Sequence, residues 1–327
     1  MQRLLWPASP LGRLSQATCW SRRDLLGRSR NWLRPLSRRL RQELVSAAEE
    51  LVRQGRALGR WAGLGALPGL RAFARELHEE LMLGTGVAFV TGLVGEGQGV
   101  SDQALRWGYL LLGAQIGEPI GGDGSLVEIT GRCHNAPAAA AADTSPETRF
   151  HTDSLGSELP DVVGTLCLSP AASGGEYQIA SAALAHEIVK NRCGTALLGE
   201  LYEPFARQLP GSQGHPVENT AAVFSTDGHR LLFNYSRSGI EAASRREGAA
   251  LSERQRDGLD QLDEALGTPM TWMRLRMKRG EMLFVNNWQI AHNRRPFVDH
   301  PVDHPGVARR RHMVRMWLAL DPPDPYL

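Results

Sequence analysis

Metal chemistry needs converging donor side chains, so histidines close to acids are the first residues to weigh in this chain. With 10 His and 35 Asp plus Glu in 327 residues, about one His-x-acid tripeptide is expected by chance, and two occur. His78-Glu79-Glu80 lies in a stretch of helical periodicity. There, positions i and i+2 point to nearly opposite sides, so His78 and Glu80 are poorly placed to share an ion. His151-Thr152-Asp153 lies in an extended or loop context, just before a strand-like run at Val162. Extended chain projects i and i+2 from one face, which is what a chelating pair requires. A facial triad needs a third donor and leaves other metal positions open. His292 follows the strand-like Met282–Val285 directly, at a sheet end where a mouth could form, although by itself it reads as a surface-loop histidine. His300 and His304 each precede a proline and read as loop residues.

The segment Arg309–Leu318 adds a different chemistry. Strand periodicity puts Arg311, Met313, Arg315 and Trp317 on one face, and His312, Val314, Met316 and Leu318 on the other. An arginine among apolar residues is costly unless its charge is paired. A dicarboxylate would supply the partner, since guanidinium grips carboxylate as a bidentate fork. The competing reading is a strand edge with its arginines in water.

Three patterns occur in order: Arg149-Phe150-His151-Thr152-Asp153, then Ser173-Gly174-Gly175-Glu176, then Asn287 to His292 followed by Arg311-His312-Met313-Val314-Arg315. In this the chain resembles the TauD/TfdA family of Fe(II)- and 2-oxoglutarate-dependent dioxygenases, which includes taurine and γ-butyrobetaine dioxygenases. The resemblance is weak from about Trp32 and clear from Gly84 to Leu320. It implies an α+β protein with a double-stranded β-helix, or jelly roll, and flanking helices. His151, Asp153 and His292 would hold Fe(II). Arg311 would bind the distal carboxylate of 2-oxoglutarate, and Arg315 the co-substrate or an anionic substrate. The reaction implied uses O2 to hydroxylate an unactivated C–H bond of a small organic substrate, releasing succinate and CO2. Asp153 stands where related halogenases have a small residue, so halogenation is disfavoured, whereas desaturation and ring closure depend on substrate placement. Tyr177 occupies the place of a threonine whose hydroxyl helps hold 2-oxoglutarate in relatives. A phenol still hydrogen-bonds, with a different reach. Leu155–Pro160 looks inserted, and the His292–Arg311 interval is long; both changes fall near the expected mouth and bear on substrate choice. Two other classes compete: a zinc hydrolase using the same ligands, which leaves Arg311 and Arg315 without a task, and a non-catalytic binding protein on the same fold.

The elements that must position these residues show a change of texture along the chain. Helical spacing runs from Ser37 to Gln54, from Leu70 to Leu83 with Gly84 as stop, and from a cap at Ser101 to Ile116. Short strand-like runs follow: Gly86–Val90, Leu126–Thr130, Val162–Leu168, Tyr177–Ala180, Ala222–Ser225, Leu231–Tyr235, Thr271–Met277, Glu281–Asn286 and His312–Leu320. Thr226-Asp227-Gly228-His229 is a hairpin signal, and Ser252 with Gln255 a capping box opening a helix to Leu266. Helices first and strands later point to an α+β fold with an antiparallel core. Residues 32–327 read as one domain. Residues 1–31 read as a basic arm, disordered or surface-docked, or as a transit segment, because nine arginines and one acid fall within residues 1–40. The net charge of +2 is mostly that arm's, so nucleic acid is not expected as a partner. No apolar run approaches the ~20 residues of a membrane span, so no membrane partner is expected either. The four scattered cysteines fit a reducing compartment, hence cytoplasm, or an organelle if the arm is a transit peptide.

Overall fold

A computed structural model describes residues 16–58, 67–95, 97, 99–121, 126–130, 149–154, 159–208, 220–228, 230–245, 250–299 and 310–320. Cys133, His229, His300, His304, the alanine-rich run 136–142 and most of the apparent insertion after Asp153 lie outside them. The helices are α1 (Arg22–Gly27), α2 (Ser29–Trp32), α3 (Arg38–Arg53), α4 (Pro68–Leu83), α5 (Asp102–Ile116), α6 (Ala182–Glu200), α7 (Arg237–Ser244) and α8 (Glu253–Gly267). The strands are β1 (Leu33–Pro35), β2 (Val87–Thr91), β3 (Glu118–Ile120), β4 (Val127–Thr130), β5 (Val162–Ser169), β6 (Ser173–Gly174), β7 (Tyr177–Ser181) and β8 (Phe205–Ala206). They continue with β9 (Thr220–Ala221), β10 (Phe224–Thr226), β11 (Leu231–Phe233), β12 (Trp272–Leu275), β13 (Met282–Asn286), β14 (Ile290–Arg294), β15 (Phe297–Val298) and β16 (His312–Ala319).

The expected helices form where their caps predict. Ser37, Ser101 and Ser252 each accept a hydrogen bond from the backbone N–H three residues on, and Gln255 completes the box at α8. Four helices were not expected: the short α1 and α2 near the N-terminus, and α6 and α7, which carry no clear periodic signal. In α6, apolar and polar residues are not sorted onto separate faces, and Gly194 (φ +80°) breaks the helical path inside it. The short α7 is capped by Ser236.

Seven strands form the larger sheet, in the order β1-β2-β13-β5-β16-β3, with β4 also pairing β16. All its neighbours are antiparallel except β1 and β2. A smaller sheet runs β12-β7-β14. Strand alternation sorts the side chains into three apolar clusters. Val90, Leu166, Phe284, Val314, Met316 and Leu318 leave the larger sheet outward, against α3, α4 and α5. Ala180 and Ala291 leave the smaller sheet outward, against α6 and α8. Phe89, Val163, Ile179, Leu283, Ile290, Met313 and Trp317 share a third cluster, to which both sheets contribute. The two-face division expected for β16 is the one observed, with Met313 and Trp317 in one cluster and Val314, Met316 and Leu318 in another.

Of the stretch 1–31, residues 16–31 are described, and they are packed. Trp20 and Leu25 are fully buried in that third cluster, alongside Trp32. The indole Nε1 of Trp20 donates to the Thr85 carbonyl at 2.8 Å, and the Ser181 hydroxyl donates to the Thr18 carbonyl at 2.6 Å. The arginines of this segment face outward while its aromatic residues enter the core, so composition alone reports its charge and misses its burial.

Candidate active site

His151 and His292 are joined first by their backbones. His151 N–H donates to the His292 carbonyl at 3.0 Å, and His292 N–H to the His151 carbonyl at 2.9 Å, an isolated antiparallel bridge. His292 is no loop residue: it sits mid-strand in β14, opposite Ile179 of β7, and is buried. The Asn286–Ile290 turn, pinned by the Asn286 side chain accepting from Trp288 N–H, returns the chain as a new strand where periodicity was too short to signal one. The two imidazole centroids lie 4.7 Å apart.

Two residues past His151, the extended chain brings Asp153 to the same place. Its Oδ1 lies 3.7 Å from His151 Nε2 and 3.4 Å from His292 Nε2, and one donor atom from each residue lies within 4.8 Å of the others. The backbone there is held tightly. Asp153 N–H donates to Asn287 Oδ1, and Asn287 Nδ2 donates to the carbonyls of Asp153 and Pro160. Thr152, between the two, exchanges hydrogen bonds with the backbone of Tyr235. His151 turns Nδ1 toward the Arg149 carbonyl at 3.2 Å, which leaves Nε2 toward Asp153.

The second Asp153 oxygen is occupied by protein. Arg315 Nη1 donates to Oδ2 at 3.0 Å and Trp317 Nε1 at 2.7 Å. Burial alone would raise the carboxyl pKa, but the Arg315 charge and the His292 and His151 imidazoles together hold it well below the usual carboxylate range. Asp153 is therefore ionised, with Oδ2 committed and Oδ1 facing the imidazoles.

Arg311 lies just before β16, beside a register shift between His312 and Met313 in the pairing with β5. It is 2% exposed, and Nη1 and Nη2 have no hydrogen-bond partner among the described residues. Its guanidinium is packed by the rings of Tyr177 and Phe297, and Gly175 leaves it room: a Cβ there would lie 3.1 Å from Arg311 Nε. The Tyr177 hydroxyl accepts from Thr165 Oγ1 at 3.4 Å.

Of the sequence-predicted residues, His151, Asp153 and His292 come together, Arg315 joins them through Asp153, and Tyr177 joins Arg311. His78 does not: on α4 it meets the Ile116 carbonyl, while Glu80 accepts from Thr85. Sequence reasoning assigned no role to Trp317 or Asn287, though Asn287 opens a quoted motif and Trp317 lies two residues past Arg315 on the same strand face. The indole on the face shared with Arg315 was the available signal.

A divalent metal fits this donor set of two imidazoles and one carboxylate oxygen, the set of the two-histidine, one-carboxylate non-haem iron oxygenases. The buried, partnerless Arg311 fork fits the far carboxylate of a dicarboxylate co-substrate. The sequence profile of the Taurine catabolism dioxygenase TauD, TfdA family matches residues 58–317, and the chain belongs to that family of Fe(II)- and 2-oxoglutarate-dependent oxygenases. FR-33289 synthase of Streptomyces rubellomurinus is 26% identical over 314 residues, covering 92% of this chain and 89% of that protein. Among solved structures, asparagine oxygenase in complex with Fe(II), 3-hydroxyasparagine and succinate has a TM-score of 0.63 at 16% identity, covering 89% of this chain and 94% of that one. The non-heme iron oxygenase OrfP in complex with Fe and alpha-ketoglutaric acid has 0.62 at 15% identity, covering 88% and 94%. A taurine dioxygenase from Burkholderia xenovorans has 0.51 at 19% identity, covering 79% and 83%. At such identities these structures speak to the fold.

Proposed function

We propose that this oxygenase holds Fe(II) with His151, Asp153 and His292 and 2-oxoglutarate with Arg311, and hydroxylates an aliphatic C–H bond of a small amino-acid-like or otherwise anionic substrate. The two sheets, with a cluster between them, are read as the walls of a double-stranded β-helix. When bound, iron and 2-oxoglutarate supply the O2-dependent oxidation, with succinate and CO2 as co-products. The protein's own part is positional. His151 and His292 would hold the ion through Nε2 and Asp153 through Oδ1, since Arg315 and Trp317 already occupy Oδ2. Arg311 orients the co-substrate by its far end.

One observation carries the reading: a buried guanidinium whose Nη1 and Nη2 have no hydrogen-bond partner among the described residues, in a chain whose metal-type triad is complete. It also separates this reading from a zinc hydrolase, for which the buried cation has no purpose. The substrate class rests on the amino-acid ligands of the structural relatives and on Arg315, which is paired with Asp153 through Nη1 while its buried Nε has no partner among the described residues. The test is Fe(II) plus 2-oxoglutarate without oxygen, followed by air. A visible metal-to-ligand charge-transfer band and then succinate are expected, and both should vanish in Asp153→Ala. Succinate release unchanged in Asp153→Ala would refute the assignment.

A further inference from the structure

The notable neighbour of Arg311 is Arg294. It lies two residues beyond His292 on β14, so its Cβ leaves the strand on the same face as the His292 ring. The register sets it directly opposite Tyr177 of β7. Cross-strand partners of this kind lie close enough for side chains to interact. Its guanidinium carbon sits 4.8 Å from the Phe297 ring centre, and that of Arg311 sits 5.4 Å from the same ring. The next residue, Arg295, is exposed, whereas Arg294 is half-buried. Among the described residues neither guanidinium forms an ion pair with an acid, although the Arg311 backbone N–H donates to Asp299 Oδ1 at 2.7 Å. Two like charges thus lie against one aromatic ring in partly desolvated surroundings, an arrangement that costs free energy until an anion enters.

Resting on the dioxygenase reading, we infer that Arg294 is, with Arg311, a second cation for the distal carboxylate of 2-oxoglutarate. A carboxylate has two oxygens and about four acceptor positions, enough for two guanidinium groups. Burial and the Arg311 charge lower the pKa of Arg294, consistent with a cavity short of negative charge. Tyr177, opposite Arg294 in register and with its ring beside Arg311, then serves as an apolar wall as well as a hydroxyl.

The test compares two 2-oxo acids that chelate Fe(II) alike: 2-oxoglutarate, and 2-oxovalerate, which lacks the distal carboxylate. Anaerobic titrations follow the charge-transfer band. Arg294→Met should weaken 2-oxoglutarate binding by on the order of tenfold or more and leave 2-oxovalerate unchanged. Arg294→Lys, which keeps the charge without the fork, should fall between and guards against a folding defect in the first variant. The melting temperature of Arg294→Met should also respond less to added 2-oxoglutarate than that of wild type. Unchanged 2-oxoglutarate affinity, or equal weakening for both acids, overturns the inference. If wild type gives no band with either acid, the dioxygenase reading itself fails, and the inference with it.

Discussion

Asp153 illustrates how much of a metal site is decided by atoms other than donors. A free carboxylate could offer both oxygens to a cation, but here Oδ2 already accepts from Arg315 and Trp317. Trp317 contributes a neutral, 8%-exposed donor whose only polar atom points at that oxygen. Trp317→Phe keeps the ring and loses the donor. It should weaken metal binding about 10- to 100-fold while the protein still folds, measured by Mn(II) titration with electron paramagnetic resonance. Metal affinity equal to wild type would mean that Arg315 alone fixes the carboxylate. At this scale the sequence was informative where spacing itself carried geometry. His151 and Asp153 needed only an extended chain to share a face. The roles of Trp317 and Arg294 required knowing which strand faces which, and a residue string does not contain that.

Elements explain what was concealed. Reading the chain after Asn286 as a loop hid β14, and with it the fact that His292 and Arg294 share a strand face. A five-residue strand entered by a tight turn offers too few positions for alternation to emerge. The helix α6 was hidden for another reason, having no single apolar face and being interrupted at Gly194. The N-terminal segment is a third case, since its basic character was legible and its aromatic anchors were not. Trp20 buries its whole side chain and hydrogen-bonds Thr85, at the entry to β2. Trp20→Ala should cost about 3–5 kcal/mol, read by chemical denaturation. Deletion of residues 1–31 should cost at least as much, because Leu25 leaves with it. A full-stability protein after that deletion would show that the segment is dispensable packing, compatible with a removable leader.

For the molecule as a whole, the three clusters divide labour. The outward-facing two are apolar and hold helices to sheets, while the third shares its faces with His292, Arg294, Tyr177, Arg311 and Arg315. Global stability should carry a pH signature from elsewhere, at His186 of α6. This imidazole is fully buried against Tyr202 and Phe224, and burial lowers its pKa despite the opposing Glu187 carboxylate. Below its ordinary value of 6.5 the unfolded chain takes up a proton that the folded chain refuses. Stability from this group is therefore complete above that value and declines as pH falls from it toward the folded pKa. The melting temperature should drop as pH is lowered from neutral to mildly acidic, and His186→Asn should flatten that slope even if it lowers stability at neutral pH. An identical slope in the variant would place the acid sensitivity in other groups.

The mutual backbone bonds of His151 and His292 carry one more consequence, which concerns assembly in time. These residues lie far apart along the chain, and their pairing closes a loop that contains β5, β7, α6, α8 and β13. Helices such as α3 and α5 can form from local contacts, but two of the three donors meet only after that long loop has closed, which is an entropically late event. Metal uptake during refolding would therefore be a clock for topology: a collapsed, helix-rich chain would be blind to the ion, and gain of tight binding would mark the moment the sheets come into register.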